Sequence, residues 1–145
     1  MNNASDRLSC KLSIVIPCYN EDKTLNECVK RMLEIADENL SLEIIIVDDC
    51  SNDNSFAIAK DLERSHPEIK VLRHEKNSGK GAALRSGFKA AIGDYVAVQD
   101  ADLEYDPYDL KRLIVPLLED KADVVLGSRF LSSRWNDGAY RSRFH

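Results

Sequence analysis

Five short runs of aliphatic and β-branched residues, separated by longer stretches with helical spacing, restrict this chain to few architectures. Leu12 to Ile16, Ile44 to Val47, Ile69 to Leu72, Tyr95 to Val98 and Val124 to Leu126 read as strands. Apart from Ser13 and Lys70 they are apolar rather than alternating, which marks strands buried on both sides. Such strands alternating with helices imply a mainly parallel sheet with helices on both faces. Right-handed crossovers make that a doubly wound α/β sheet. At 145 residues the chain is long enough for one core and too short for two ordinary domains.

The intervening stretches carry the helical signal. Leu25, Cys28, Val29, Met32 and Ala36 recur on one helical face. A weaker helix is expected from about Asn54 to Ser65, and another from about Gly81 to Ile92. Asp106-Pro107 opens a further helix as an N-cap followed by proline in the first turn. Its inner face would be Leu110, Leu113, Ile114, Leu117 and Leu118, with a kink or break at Pro116. After Phe130 the sequence LSSRWNDGAYRSRFH has no clear period. The expected division is therefore 1–130 as the folded ligand-binding domain and 131–145 as the start of a further segment or a disordered tail.

The net charge of −5 argues against a nucleic-acid binder, which carries a basic excess. An acidic chain that takes an anionic ligand needs local basic residues or a bound cation. Cys10, Cys18, Cys28 and Cys50 include no CxxC pair and have no histidine at ligand spacing, so free thiols in a reducing cytoplasm are expected. No signal peptide is indicated, and no apolar run approaches the ~20 residues that span a bilayer. His66, His74 and His145 are dispersed and read as surface or loop residues.

In open α/β sheets, ligands bind outside the carboxyl ends of the strands. There the unusual residues collect. Pro17-Cys18-Tyr19-Asn20-Glu21 follows the first strand and Asp48-Asp49-Cys50-Ser51-Asn52-Asp53 the second. Asn77-Ser78-Gly79-Lys80-Gly81 follows the third, Asp100-Ala101-Asp102-Leu103-Glu104 the fourth, and Gly127-Ser128-Arg129 the fifth. Asp100 and Asp102, two apart at a strand exit, suit one hard cation such as Mg²⁺ or Mn²⁺, with Glu104 a third carboxylate. Ordinary turn chemistry gives the same residues. Asp48-Asp49 fits either a ribose hydroxyl or base N–H, or a turn in which Asp53 caps the next helix. Gly79-Lys80-Gly81 fits either an anion site at a helix start or a plain glycine-rich turn, and lacks the pattern of a P-loop. Arg85 faces either the rim or solvent, and Arg129 is either a phosphate ligand or a surface arginine.

LSIVIPCYNE, IIIVDDCSNDNS, NSGKGAALRSGF, VQDADLEYDP and VVLGSRF, in this order, resemble the inverting GT-A glycosyltransferases of family 2. Within these the chain is most similar to dolichyl-phosphate mannose or glucose synthases and bacterial polyprenyl-phosphate relatives, from about Leu12 to Phe130. The resemblance implies a Rossmann-like GT-A fold. It also implies hexose transfer from a UDP- or GDP-linked sugar to a polyprenyl phosphate such as dolichyl or undecaprenyl phosphate. By position it implies Pro17, Tyr19 and Glu21 lining the nucleotide pocket, Asp49 at the base or ribose, and Lys80 and Arg85 near the nucleotide or its diphosphate. Asp100, Asp102 and Glu104 would form the Mg²⁺ or Mn²⁺ site. Asp102 is the safer ligand, and Glu104 stands where many relatives have glutamine. Arg129 would bind the acceptor or donor phosphate. Relatives continue into acceptor-binding and often membrane-associated elements, so the chain is expected to stop short of a complete enzyme, cytoplasmic or at the cytoplasmic face of a membrane. The alternatives are a saccharide acceptor, a non-catalytic nucleotide-sugar-binding module and, more distantly, a nucleotidyltransferase.

Overall fold

The computed structural model describes residues 10–103, 107–113, 124–126 and 139–140. Their elements are β1 (Cys10–Cys18), α1 (Leu25–Leu33), β2 (Leu40–Asp48), α2 (Ser55–Ser65), β3 (Ile69–Arg73), α3 (Lys80–Ala90), β4 (Tyr95–Val98), α4 (Pro107–Leu113), β5 (Val124–Leu126) and β6 (Ala139–Tyr140). They form a six-stranded sheet of order β3-β2-β1-β4-β5-β6. β1 to β5 pair in parallel, and β6 pairs antiparallel with β5. The chain first winds outward from β1 through β2 to β3, then returns to place β4 on the other side of β1. The order therefore reverses between β1 and β4, and beyond the carboxyl ends at such a reversal open α/β sheets bind ligands.

The period-two geometry of the strands sends alternate side chains to opposite faces. Leu12, Ile14 and Ile16 of β1 pack with Ile44 and Ile46 of β2 against Leu25, Val29 and Met32 of α1 and Ala59 and Leu62 of α2. Val15, Ile45 and Val47 point the other way, onto Ala83 and Leu84 of α3. Helices therefore cover both faces, as the apolar residues on both sides of β1 and β2 require. On the α3 face the approach is close. A Cβ at Gly87 would lie 2.3 Å from a Val15 methyl, so only glycine fits there without displacement.

β1 and β2 both run beyond the apolar stretches that announce them. Glu43 reads as a polar boundary, yet it is 3% exposed inside β2. Its Oε1 accepts from the Ser13 hydroxyl at 2.7 Å and from the Ile92 N–H at 2.9 Å, and its Oε2 accepts from Lys70 Nζ at 2.7 Å. Burial pushes the Glu43 carboxyl up, but these donors outweigh it and hold the group below its ordinary value. The carboxylate thus ties β1, β2, β3 and the segment after α3 together.

All four cysteines are free thiols, and burial pushes Cys18 and Cys28 up to about 12, where they are inert at neutral pH. β6, two residues long, lies in the stretch after Phe130 that shows no clear period in the sequence. The Asp106 cap, Pro116 and the residues Ile114, Leu117 and Leu118 fall outside the described residues. Among the described residues, no helix is long and apolar enough to cross a membrane.

Candidate functional site

The first two rim loops are fastened to one another by side chains reaching across to backbone. Asn20 N–H donates to Ser51 Oγ at 2.9 Å, and Asn52 N–H returns a bond to Asn20 Oδ1 at 2.8 Å. Glu21 N–H donates to Ser55 Oγ at 2.8 Å. Asp53 accepts from the N–H of Ser55 at 2.9 Å and of Asp22 at 3.2 Å. Asp53 therefore does hold the start of α2, from one position ahead of the Asn54 cap. Among the described residues, the non-glycine positions with positive φ are Asn20 (53°) and Cys50 (65°), and both lie in these loops. Left-handed backbone of this kind persists only where surrounding bonds fix it, and it concentrates at functional rims.

Asp48 and Asp49 end β2 with different surroundings. Asp48 is fully buried; its Oδ2 accepts from Ser51 N–H at 3.1 Å and lies 3.5 Å from Arg73 Nε. Asp49 is 4% exposed. Its Oδ1 accepts from Ser78 N–H at 2.8 Å and lies 2.7 Å from His74 Nδ1; its Oδ2 accepts from Gly79 N–H at 2.8 Å. Burial alone would raise the Asp49 carboxyl, but His74 and the two amides hold it below its ordinary value. This carboxylate fixes the loop between β3 and α3, where Gly79 takes φ +94°, a conformation that side chains disfavour.

His74 lies in the loop after β3, as expected, but its side chain is largely enclosed. Its side chain is 18% exposed, its backbone N–H donates to Asp48 O at 2.9 Å, and its Nε2 lies 2.8 Å from Ser86 Oγ on α3. Nothing in the local sequence marks it, because both side-chain partners are distant in the chain. His74 also lines a surface hollow of about 590 Å³ with Arg73, Glu75, Lys76 and Ser78, a size in the range of small-ligand sites.

The β4 exit carries the paired acids. Ala101 is buried in the core, while Asp100 and Asp102 on either side of it are partly exposed. This in-and-out pattern leaves both carboxylates at the rim. The Asp100 carbonyl accepts from Cys28 Sγ at 3.5 Å, tying the exit to α1. Lys80 Nζ, from the first residue of α3, reaches Asp100 Oδ1 at 2.7 Å. Glu21 faces the same space: burial raises its carboxyl, the Thr24 hydroxyl opposes that, and Asp102 and Asp100 raise it further. The β1 and β4 exits thus converge electrostatically. Among the described residues, no three acidic, cysteine or histidine side chains form a complete metal cage. Mg²⁺ and Mn²⁺ sites of this class need only one or two carboxylates, with water and phosphate oxygens filling the rest.

Of the other expected site residues, Pro17 is partly buried in β1 and Tyr19 is 43% exposed just beyond it. Arg85 lies exposed on α3, its guanidinium 3.5 Å from where a Cβ on Gly81 would sit, and so folds back toward the helix start. Glu104 and Arg129 lie outside the described residues.

Comparison with known proteins bears on the family and the fold. The chain is 38% identical over 121 residues to a dolichol-phosphate mannosyltransferase of Pyrococcus furiosus, covering 83% of this chain and 34% of the relative. It is 34% identical over 131 residues to a UDP-N-acetylglucosamine–dolichyl-phosphate N-acetylglucosaminyltransferase of Methanococcus voltae, covering 80% of this chain and 51% of the relative. It therefore spans between a third and a half of these two proteins. Among solved structures, TarS of S. aureus in complex with UDP superposes with a TM-score of 0.58 at 29% identity, covering 72% of this chain and 32% of that one. Glucosyl-3-phosphoglycerate synthase from Mycobacterium tuberculosis gives a TM-score of 0.63 at 24% identity, covering 81% and 44%, which speaks to fold alone. The fold is the GT-A form of the Rossmann-like sheet. The model of the family described as Glycosyl transferase family 2 matches residues 13–144. With that match running from β1 past the last described strand, the chain belongs to glycosyl transferase family 2.

Proposed function

We propose that this chain is the nucleotide-sugar-binding part of an inverting glycosyltransferase that moves a hexose from a nucleoside-diphosphate sugar to a polyprenyl phosphate, with Mg²⁺ or Mn²⁺ as cofactor. The observation that carries this reading is the pair Asp100 and Asp102, held at the rim by the buried Ala101 between them, with the Lys80 cation already on Asp100. Two carboxylates beside an open crevice fit a hard divalent ion that shares a diphosphate. Related proteins support the choice. Solved relatives were captured with GDP-Man and Mn²⁺, with Mn²⁺ and UDP, and with Mg²⁺ and UDP. Two curated relatives are named as dolichyl-phosphate enzymes.

In this reading the base lies near Pro17, Tyr19 and Asp49, and the diphosphate lies between the β4 exit and the start of α3. Asp102 and Asp100 hold the metal, with Glu104 assisting. The metal, when bound, supplies Lewis-acid stabilisation of the departing diphosphate. Lys80 and Arg85 add fixed positive charge, which counters the acidic balance of the chain. Lys80 exchanges its contact with Asp100 for the diphosphate as the ligand arrives. Arg129 serves the acceptor or donor phosphate. A lipid phosphate is already largely ionised near neutral pH, so its oxygen attacks the anomeric carbon without a strong protein base. A saccharide hydroxyl would require one.

Calorimetry with UDP-glucose, UDP-N-acetylglucosamine and GDP-mannose tests the donor half. At least one is expected to bind in Mn²⁺ and to bind at least about 10-fold more weakly in EDTA, as a shared ion implies. Absence of binding to all three in Mn²⁺ would remove the proposal.

A further inference from the structure

We infer that His74 is a positioning residue for the nucleobase, acting through Asp49; this rests on the proposed nucleotide site. The argument begins with acceptor capacity. A carboxylate offers about four lone-pair directions. Among the described residues, Oδ1 of Asp49 is shared by His74 Nδ1 and the Ser78 amide, and Oδ2 takes the Gly79 amide alone. One direction on Oδ2 is left for a ligand N–H, such as the ring N–H that uracil and guanine carry and cytosine and adenine lack.

The direction of that open position depends on how the carboxylate is turned. The two amides come from the glycine-containing loop, where Gly79 has φ +94°. His74 is the side chain that fixes the remaining freedom. It is braced at its far end by Ser86 on α3, and its own backbone is bonded to the end of β2 at Asp48 O. Because Asp49 is an acceptor, Nδ1 carries the proton in either charge state of the ring. Nε2 then accepts from the Ser86 hydroxyl when the ring is neutral and donates to it when the ring is charged. A line of contacts thus runs from α3 through His74 to the carboxylate, and so to the base.

Two substitutions separate positioning from bulk. His74→Asn places an amide NH₂ near the Nδ1 position and keeps the donor to Asp49, but loses Ser86. His74→Gln reaches toward Ser86 and loses the Nδ1 donor. Binding of UDP and GDP in Mn²⁺ is measured by calorimetry for the native chain, both variants, Asp49→Asn, and Asp49→Asn combined with His74→Gln. His74→Gln is expected to weaken the nucleotide that binds by about 10-fold or more, the scale of one bond to a charged group. His74→Asn should stay within about 3-fold of native, and His74→Gln should add nothing once Asp49→Asn is present. Equal binding by native and His74→Gln, or equal loss in both His74 variants, overturns the inference. Failure of the native chain to bind either nucleotide overturns the proposed function, and the inference with it. If a variant does not fold, ¹⁵N spectra of the native ring decide. A proton on Nδ1 is expected, and a neutral ring protonated only on Nε2 contradicts the inference.

Discussion

Asp102→Ala is expected to weaken Mn²⁺-dependent binding of the nucleotide sugar by on the order of 100-fold while leaving the fold intact, the scale seen when metal-site residues are lost. The two effects separate because Asp102 sits at the rim beside like charge. It is partly exposed, and it raises the Glu21 carboxyl together with Asp100. Its side chain is partly exposed, so truncating it should leave thermal stability within about 1 kcal/mol of native, whereas its charge adds to the repulsion on Glu21. The same repulsion is what a divalent cation would neutralise. Calorimetry in Mn²⁺ and in EDTA, beside a thermal melt, checks both halves. A variant that binds nucleotide sugar as tightly as the native chain would remove Asp102 from the metal site.

The largest stability effect is expected at Glu43, far in character from the ligand chemistry. Glu43→Ala leaves the Ser13 hydroxyl and the Ile92 N–H without their buried acceptor and releases Lys70. Two unsatisfied donors at roughly 1–3 kcal/mol each suggest a loss of about 2–6 kcal/mol. Lys70 is about half-exposed and is rehydrated, so its share is small. Glu43→Gln keeps the shape and loses only the charge, and should cost less. The sign with pH follows from the lowered carboxyl. Stability from ionised Glu43 is fully present above its ordinary value near 4.5 and is lost as pH falls through the lower value it has in the fold. Denaturant melts from pH 6 to pH 3 should show the native chain losing more stability than Glu43→Gln in that acidic window. Parallel curves would show that the charge contributes nothing.

The order of elements was legible in the sequence because apolar runs buried on both faces admit few arrangements. β4 and β5 match their apolar runs residue for residue, since nothing polar interrupts them. β1 and β2 are longer than their runs because pairing continues where the side chains change: Cys10 and Lys11 pair with Leu40 and Ser41. Glu43 looked like a boundary for the same reason, its buried partners lying in other elements. β6 gave no signal, since two residues show no periodicity.

The rim was legible as a set of clusters but not as a network. Spacing located Asp100 and Asp102, yet not that Lys80 would reach back to Asp100 from the next helix. Asp49 was recognised, but its bonds to His74, Ser78 and Gly79 depend on contacts 25 to 30 residues apart. His74 reads as a surface or loop histidine because its side-chain partners, Asp49 and Ser86, are distant in the chain.

The central claim is that the β4 exit and the start of α3 form one nucleotide-diphosphate site sharing a divalent ion. A crystal structure of the chain with Mn²⁺ and either UDP or GDP tests it most directly. The expected result is an anomalous manganese peak between the Asp102 carboxylate and the diphosphate, with Lys80 turned from Asp100 toward phosphate and the base beside Asp49. Manganese and nucleotide bound at any other place on the molecule would contradict the account.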